Sequence, residues 1–118
     1  MIAWLMGLKT ISPAELHGRI EGGSVAVFDV NSQDSWRKAR VPGAKNLDPV
    51  QFGESDLPTD RNSLVVFYCS NPMCRKAPNA AKRAKQMGYG NARVMSAGIS
   101  GWLSANLPVE SGESKLPS

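Results

Sequence analysis

An α/β fold, with a mainly parallel central sheet and helices on both faces, is what this sequence predicts, on three observations. Two apolar runs, Val25-Ala26-Val27-Phe28-Asp29-Val30 and Leu64-Val65-Val66-Phe67-Tyr68, lack the alternation of a half-exposed strand and read as strands covered on both sides. Segments with helical spacing and helix start signals alternate with these runs, the pattern of strand–helix–strand crossovers. Glycine, proline and asparagine clusters such as Gly22-Gly23 and Asn71-Pro72 fall at the changes between them.

Taken in order, the apolar start Met1 to Leu8 has no basic leader and is too short for a membrane span, so it reads as an element packed on the domain, with no membrane contact expected. Ser12-Pro13-Ala14-Glu15 combines an N-cap serine, a proline at the first helical position and a glutamate at the third, which predicts a helix from Pro13 to about Ile20. Gly22-Gly23 ends it before the first apolar strand. Ser32 caps a short helix through Trp36 and Ala39, and Val41-Pro42-Gly43-Ala44 turns the chain into an extended piece at Lys45 to Leu47. The segment from Asp48 to Asn62 reads as a loop with one helical turn around Val50 to Phe52. After the second apolar strand, Ala77, Ala80, Ala81, Ala84 and Met87 share one face of a helix that begins near Arg75. Lys76, Lys82, Arg83 and Lys85 read as its solvated side. Ala92 to Met95 is a further strand, and Ile99 to Ala105 a last helix with Trp102 in the core. The expected organisation is an apolar extension over 1–9, one domain over 10–110 and a frayed polar tail over 111–118, beginning near Glu110.

A chain of 118 residues is long enough for one domain with a core and too short for two ordinary ones. The 42% hydrophobic and 20% charged content excludes intrinsic disorder. A net charge of +4 leans toward anionic substrates, yet no basic run is interleaved with aromatics, so nucleic acid is not an expected partner. Two cysteines do not make a disulfide framework, which leaves a reducing cytoplasm as the expected location. Together with the lone His17, read as a surface side chain, they are too few soft ligands for a metal, and no cofactor is implied.

The chemistry concentrates after the second strand. Cys69 stands at its carboxyl end, and the loop Ser70-Asn71-Pro72-Met73-Cys74-Arg75 feeds a helix amino terminus. Free amides there form a cradle for an anion and lower the pKa of a thiol, making Cys69 a candidate nucleophile. Arg75 adds a permanent cation able to fork onto an oxyanion or to stabilise the thiolate. Cys74 is either a packed side chain or a resolving thiol that closes a disulfide onto Cys69.

The chain resembles the rhodanese-like (sulfurtransferase) domains. Val27-Phe28-Asp29-Val30 matches the strand ending in aspartate, Val41-Pro42-Gly43-Ala44 the "IPGA" turn, and Val65 to Arg75 the active-site strand and loop. Gly88-Tyr89, Ala97-Gly98-Ile99, Trp102 and Leu107-Pro108-Val109 follow in the family's order. The resemblance implies that Cys69 takes a sulfane sulfur from an anionic donor such as thiosulfate and passes it, as a persulfide, to a thiol or cyanide or to an acceptor protein, with the amides of Ser70 to Arg75 around the sulfur. Three departures stand out. Asn31 replaces the usual arginine two residues after the aspartate, and Arg40 replaces the usual histidine before the IPGA turn, so the support of the loop is expected to differ. The Cys-x5-Arg loop is one residue longer than the usual sulfurtransferase loop and similar in length to that of related dual-specificity phosphatases and arsenate reductases. Cys74 is an extra thiol within it. A phosphatase or arsenate reductase, and a non-catalytic sulfur-carrying or binding module, are therefore the alternative readings.

Overall fold

The computed structural model describes residues 7–112. Five strands, β1 (Lys9–Thr10), β2 (Ala26–Asp29), β3 (Lys45–Asn46), β4 (Val65–Tyr68) and β5 (Ala92–Val94), form one all-parallel sheet in the order β1-β5-β4-β2-β3. Four helices, α1 (Pro13–Glu21), α2 (Gln33–Lys38), α3 (Lys76–Gln86) and α4 (Gly98–Ser104), make up the layers around it. This is the predicted α/β architecture.

Strand β4 shows why two helical layers are needed. Every one of its side chains is buried, Val65 and Phe67 among the core on one side and Val66 and Tyr68 among the core on the other. Helix α3 covers the first side with Ala77, Ala80, Ala81 and Ala84, whose small side chains let the helix lie close to the sheet. Phe67 stacks on Phe28 of the neighbouring strand at 5.4 Å between ring centres, and Phe52 closes on it at 5.6 Å. Helices α1 and α4 cover the other side through Leu16 and Trp102, both fully buried. Each such side chain contributes roughly 1.5–3 kcal/mol by leaving water.

Local signals account for most helix ends. The Ser12 hydroxyl accepts the Glu15 amide, with Pro13 in the first turn, and Ser32 does the same for Ser35. Gly23 follows α1 at φ +73°, a conformation that favours glycine. The turn at Val41-Pro42-Gly43-Ala44 closes through the Ala44 amide on the Val41 carbonyl at 3.0 Å.

Several expectations shift. Beside the expected turn at Val50 to Phe52, where the Phe52 amide donates to the Asp48 carbonyl at 3.2 Å, a second helical turn lies at Glu54–Asp56, started by the Asp56 carboxylate accepting the Gly53 amide. Strand β1 was not anticipated, since two exposed residues at a sheet edge carry no periodic pattern. Arg83 is half-buried, not solvated: it donates to the Phe52 carbonyl and lies 4.9 Å above the Phe52 ring. Glu110 and Gly112 are bound to the body, not frayed. Arg40 and Glu110 exchange both backbone hydrogen bonds, and the Gly112 amide donates to the Arg37 carbonyl at 2.8 Å. The apolar extension up to Met6 and the tail from 113 on lie outside the described residues. Among those described, no helix is long and apolar enough to cross a membrane.

Candidate functional site

From β2 the chain moves outward to β3, and from β4 it moves outward to β5 on the other side. The carboxyl ends of β2 and β4 thus flank the point where the winding reverses, the usual crevice for a ligand in an open α/β sheet. Cys69 follows β4 directly at that edge and is 3% exposed.

The first part of the loop is fixed by the start of α4. The Ile99 amide donates to the Cys69 carbonyl at 2.9 Å and the Ser100 amide to the Ser70 carbonyl at 3.0 Å. These bonds need the two backbones in contact. Gly98 allows it, with φ +68° and no side chain; a Cβ there would stand 2.5 Å from the Ser70 carbonyl carbon and 2.6 Å from the Asn71 nitrogen.

A buried polar layer supports the loop from beneath. Parallel register sets Asp29 beside Tyr68, and the Tyr68 hydroxyl donates to Asp29 Oδ2 at 2.7 Å while accepting the Val41 amide at 3.0 Å. Asp29 Oδ1 takes the Asn31 amide at 2.8 Å. Asn31 Oδ1 in turn accepts the Ser70 hydroxyl at 2.8 Å, and Asn46 Nδ2 donates to the Asp29 and Asn31 carbonyls. Burial pushes the Asp29 carboxyl above the usual carboxylate range, against the opposing pull of its hydrogen bonds to Tyr68 and Asn31. Burial, reinforced by the neighbouring Asp29, raises Tyr68 well above an ordinary phenol.

The second part of the loop folds on itself. Asn71 accepts the Cys74 amide through its carbonyl at 3.1 Å and the Met73 amide through Oδ1 at 2.9 Å, bending the chain around exposed Pro72 and Met73. The bend returns Cys74 to Cys69, and the two are joined as a disulfide with their Cα atoms 6.4 Å apart. Since Met73 and Cys74 spend their amides on Asn71 and Pro72 has none, the loop amides without a protein acceptor among the described residues are those of Ser70, Asn71 and Arg75. The first-turn amides of α3 extend this set, because no side chain caps that helix.

Beside the two sulfurs lies a recess of about 10 Å3, room for about one water, lined by Asn71, Pro72, Cys74, Ala77 and Ser96 among others. Arg75 is not among its walls. It caps α3 by position only, with its side chain exposed and no side-chain hydrogen bond or ion pair among the described residues. The structure thus brings Cys69, Ser70, Asn71, Pro72 and Cys74 together, and leaves Met73 and Arg75 on the rim. Arg40, expected near the loop as the stand-in for a histidine, is buried elsewhere: it stacks 3.9 Å over Trp36 and donates to the Trp36 and Gly112 carbonyls.

Sequence reasoning missed Ser96, Tyr68 as the partner of Asp29, and the Ser70 to Asn31 bond. The lone signal was Asn31 itself, a polar residue directly after a buried strand.

The rhodanese-like domain family profile matches residues 12–105, and the chain belongs to that family. It is 33% identical over 104 residues to an HTH-type transcriptional regulator of Mycobacterium tuberculosis, covering 86% of this chain and 45% of that protein. The chain therefore spans less than half the length of that relative. Against the thiosulfate sulfurtransferase GlpE of Actinobacillus succinogenes it is 27% identical over 112 residues, 95% of this chain and 99% of the relative. Among solved structures, a Bacillus halodurans protein superposes with a TM-score of 0.80 at 23% identity, over 89% of this chain and 78% of the other, a likeness of fold.

Proposed function

We propose that this protein is a sulfurtransferase that moves a sulfane sulfur from a small anionic donor such as thiosulfate to a thiol or cyanide, through a persulfide on Cys69. The observation that carries the reading is the placement of Cys69: a cysteine at the carboxyl end of β4, at the sheet's reversal point, facing the uncapped amino terminus of α3. Helix-terminal and loop amides favour the thiolate there, so no general base is needed. In the reduced protein the Cys69 thiolate attacks the outer sulfur of thiosulfate; a new S–S bond forms to Sγ, the old one breaks, and sulfite leaves with the electron pair. An acceptor then attacks the outer sulfur and returns Cys69 as thiolate. Ser70, Asn71 and Arg75 offer their amides to the transferred sulfur, Arg75 adds positive potential at the rim, and Met73, 83% exposed, offers an apolar contact to an acceptor protein. The chemistry needs Cys69 reduced, which fits residence in the cytoplasm.

The test is to incubate reduced protein with thiosulfate, locate added sulfur by intact mass and peptide mapping, and repeat after cyanide. One sulfur on Cys69, removed by cyanide as thiocyanate, is the expected result; Cys69→Ser takes up none, and full transfer by that variant overturns the mechanism.

The Cys-x5-Arg loop length favours a second reading, a phosphatase or arsenate reductase. Against it, the lining of the recess has no carboxylate to serve as an acid. Hydrolysis of an aryl phosphate that requires both Cys69 and Arg75 would establish that reading instead. A non-catalytic module would show a Cys69 thiol of ordinary pKa.

A further inference from the structure

We propose that Cys74 resolves the Cys69 persulfide and makes the protein a sulfane-sulfur reductase as well as a sulfurtransferase. This rests on the sulfurtransferase reading above. The Cys74 thiol passes its proton to the outer persulfide sulfur and attacks Cys69 Sγ, the inner sulfur. A bond forms between the two Sγ atoms, the bond from Cys69 Sγ to the outer sulfur breaks, and the outer sulfur leaves with the electron pair as hydrosulfide. The sulfane sulfur is reduced to sulfide, and the two cysteines, each losing one electron, become the disulfide. A dithiol reductant resets the site by two exchange steps.

Four observations carry the step. Its product is the state seen in the structure, a Cys69–Cys74 disulfide whose Cα separation of 6.4 Å lies within the span such bonds ordinarily bridge. The approach is built into the loop: Asn71 takes the Cys74 and Met73 amides and so bends the chain back on Cys69. The target is held still, because the Cys69 and Ser70 carbonyls are bound by α4. Both cysteines also line one narrow recess.

Geometry selects the inner sulfur over the outer one. The loop brings Cys74 Sγ to Cys69 Sγ itself, whereas attack on the outer sulfur requires the two side chains to stand apart with a third sulfur between them. Hydrosulfide is also a weakly basic leaving group, which speeds departure. External acceptors reach the outer sulfur from solvent, so the persulfide partitions between transfer outward and discharge by Cys74.

The experiment is a single turnover without reductant. Reduced wild type, freed of reductant under argon, is mixed with thiosulfate; hydrosulfide is trapped with monobromobimane, and the protein is followed by intact mass. The expected result is one hydrosulfide per chain and a Cys69–Cys74 disulfide in the wild type. Cys74→Ser and Cys74→Ala are expected to release none and to hold a lasting persulfide that cyanide removes as thiocyanate. A wild type whose persulfide lasts as long as that of the variants, with no hydrosulfide, overturns the Cys74 step while leaving the sulfurtransferase reading intact. Wild type and variants that all fail to take up sulfur and form no thiocyanate overturn both. Should the variants fail to fold, the wild-type products alone decide, since hydrosulfide with disulfide supports the step and a lasting persulfide refutes it.

Discussion

Cys69 and Ser70 have their carbonyls taken by α4 and their strand anchored in a buried polar layer, whereas from Asn71 to Cys74 the loop is held by its own turn and by the bond between its two cysteines. One loop therefore contains a rigid half and a self-supported half. The difference suits the division of tasks we propose: a nucleophile needs fixed geometry, while a thiol that must approach and withdraw needs a segment without outside anchors.

The sharpest way to break this contrast is Gly98→Ala. The new methyl meets the Ser70 and Asn71 backbone at a positive φ, so overpacking and strain together are expected to cost on the order of 3 kcal/mol in urea unfolding and to abolish sulfur uptake. Tyr68→Phe removes a donor to Asp29 and an acceptor for Val41, and is expected to cost about 1–3 kcal/mol. It also has a pH signature. Native Tyr68 keeps its proton above pH 10.0, where unfolded tyrosine releases it, so the unfolded chain binds fewer protons there and wild-type stability falls as pH rises past that point. Unfolding midpoints of Tyr68→Phe lack this added slope. Asp29 acts likewise at the acid end: its raised pKa makes its contribution full below pH 3.8 and declining as pH rises through the native value.

Smaller effects sharpen the comparison. Ser70→Ala and Asn31→Ala are each expected to cost about 1 kcal/mol, and a double-mutant cycle should return a coupling of about 0.5–1.5 kcal/mol if Asn31 supports the rigid half through Ser70. Arg75→Ala, just beyond the self-supported half, is expected to leave stability within about 0.5 kcal/mol and to raise KM for thiosulfate in a salt-dependent way with kcat unchanged. A large fall in kcat would instead place its guanidinium on the reacting sulfur.

What could be read beforehand divides along the same line. The buried strands, the Ser12 and Ser32 caps, the alanine face of α3 and the place of Cys69 at the end of a strand are written in local pattern, and the structure shows those elements within a residue or two of their expected ends. The return of Cys74 was legible only as an alternative, because spacing alone does not say how a turn closes. Nothing local announces that Asn31 receives Ser70, that Tyr68 completes Asp29 or that Arg83 covers Phe52; each joins residues 31 or more apart in the chain. Arg75, given an anion-binding role from its place at a helix start, lies outward, where a positive charge avoids the positive end of the dipole.

Arg40 carries a consequence for how the chain is made. Its guanidinium is sealed from water, and one of its oxygen partners, the Gly112 carbonyl, lies 72 residues further on, with the Glu110 carboxylate 3.8 Å away. A nascent chain emerging from the ribosome has strands, helices and loop cysteines in hand well before those oxygens appear, and until then burying Arg40 leaves its charge short of partners. The body thus closes on a segment made after the sheet, so the arrival of Glu110 and Gly112, more than formation of the sheet, times the moment when Trp36 and the turn beside it become fixed.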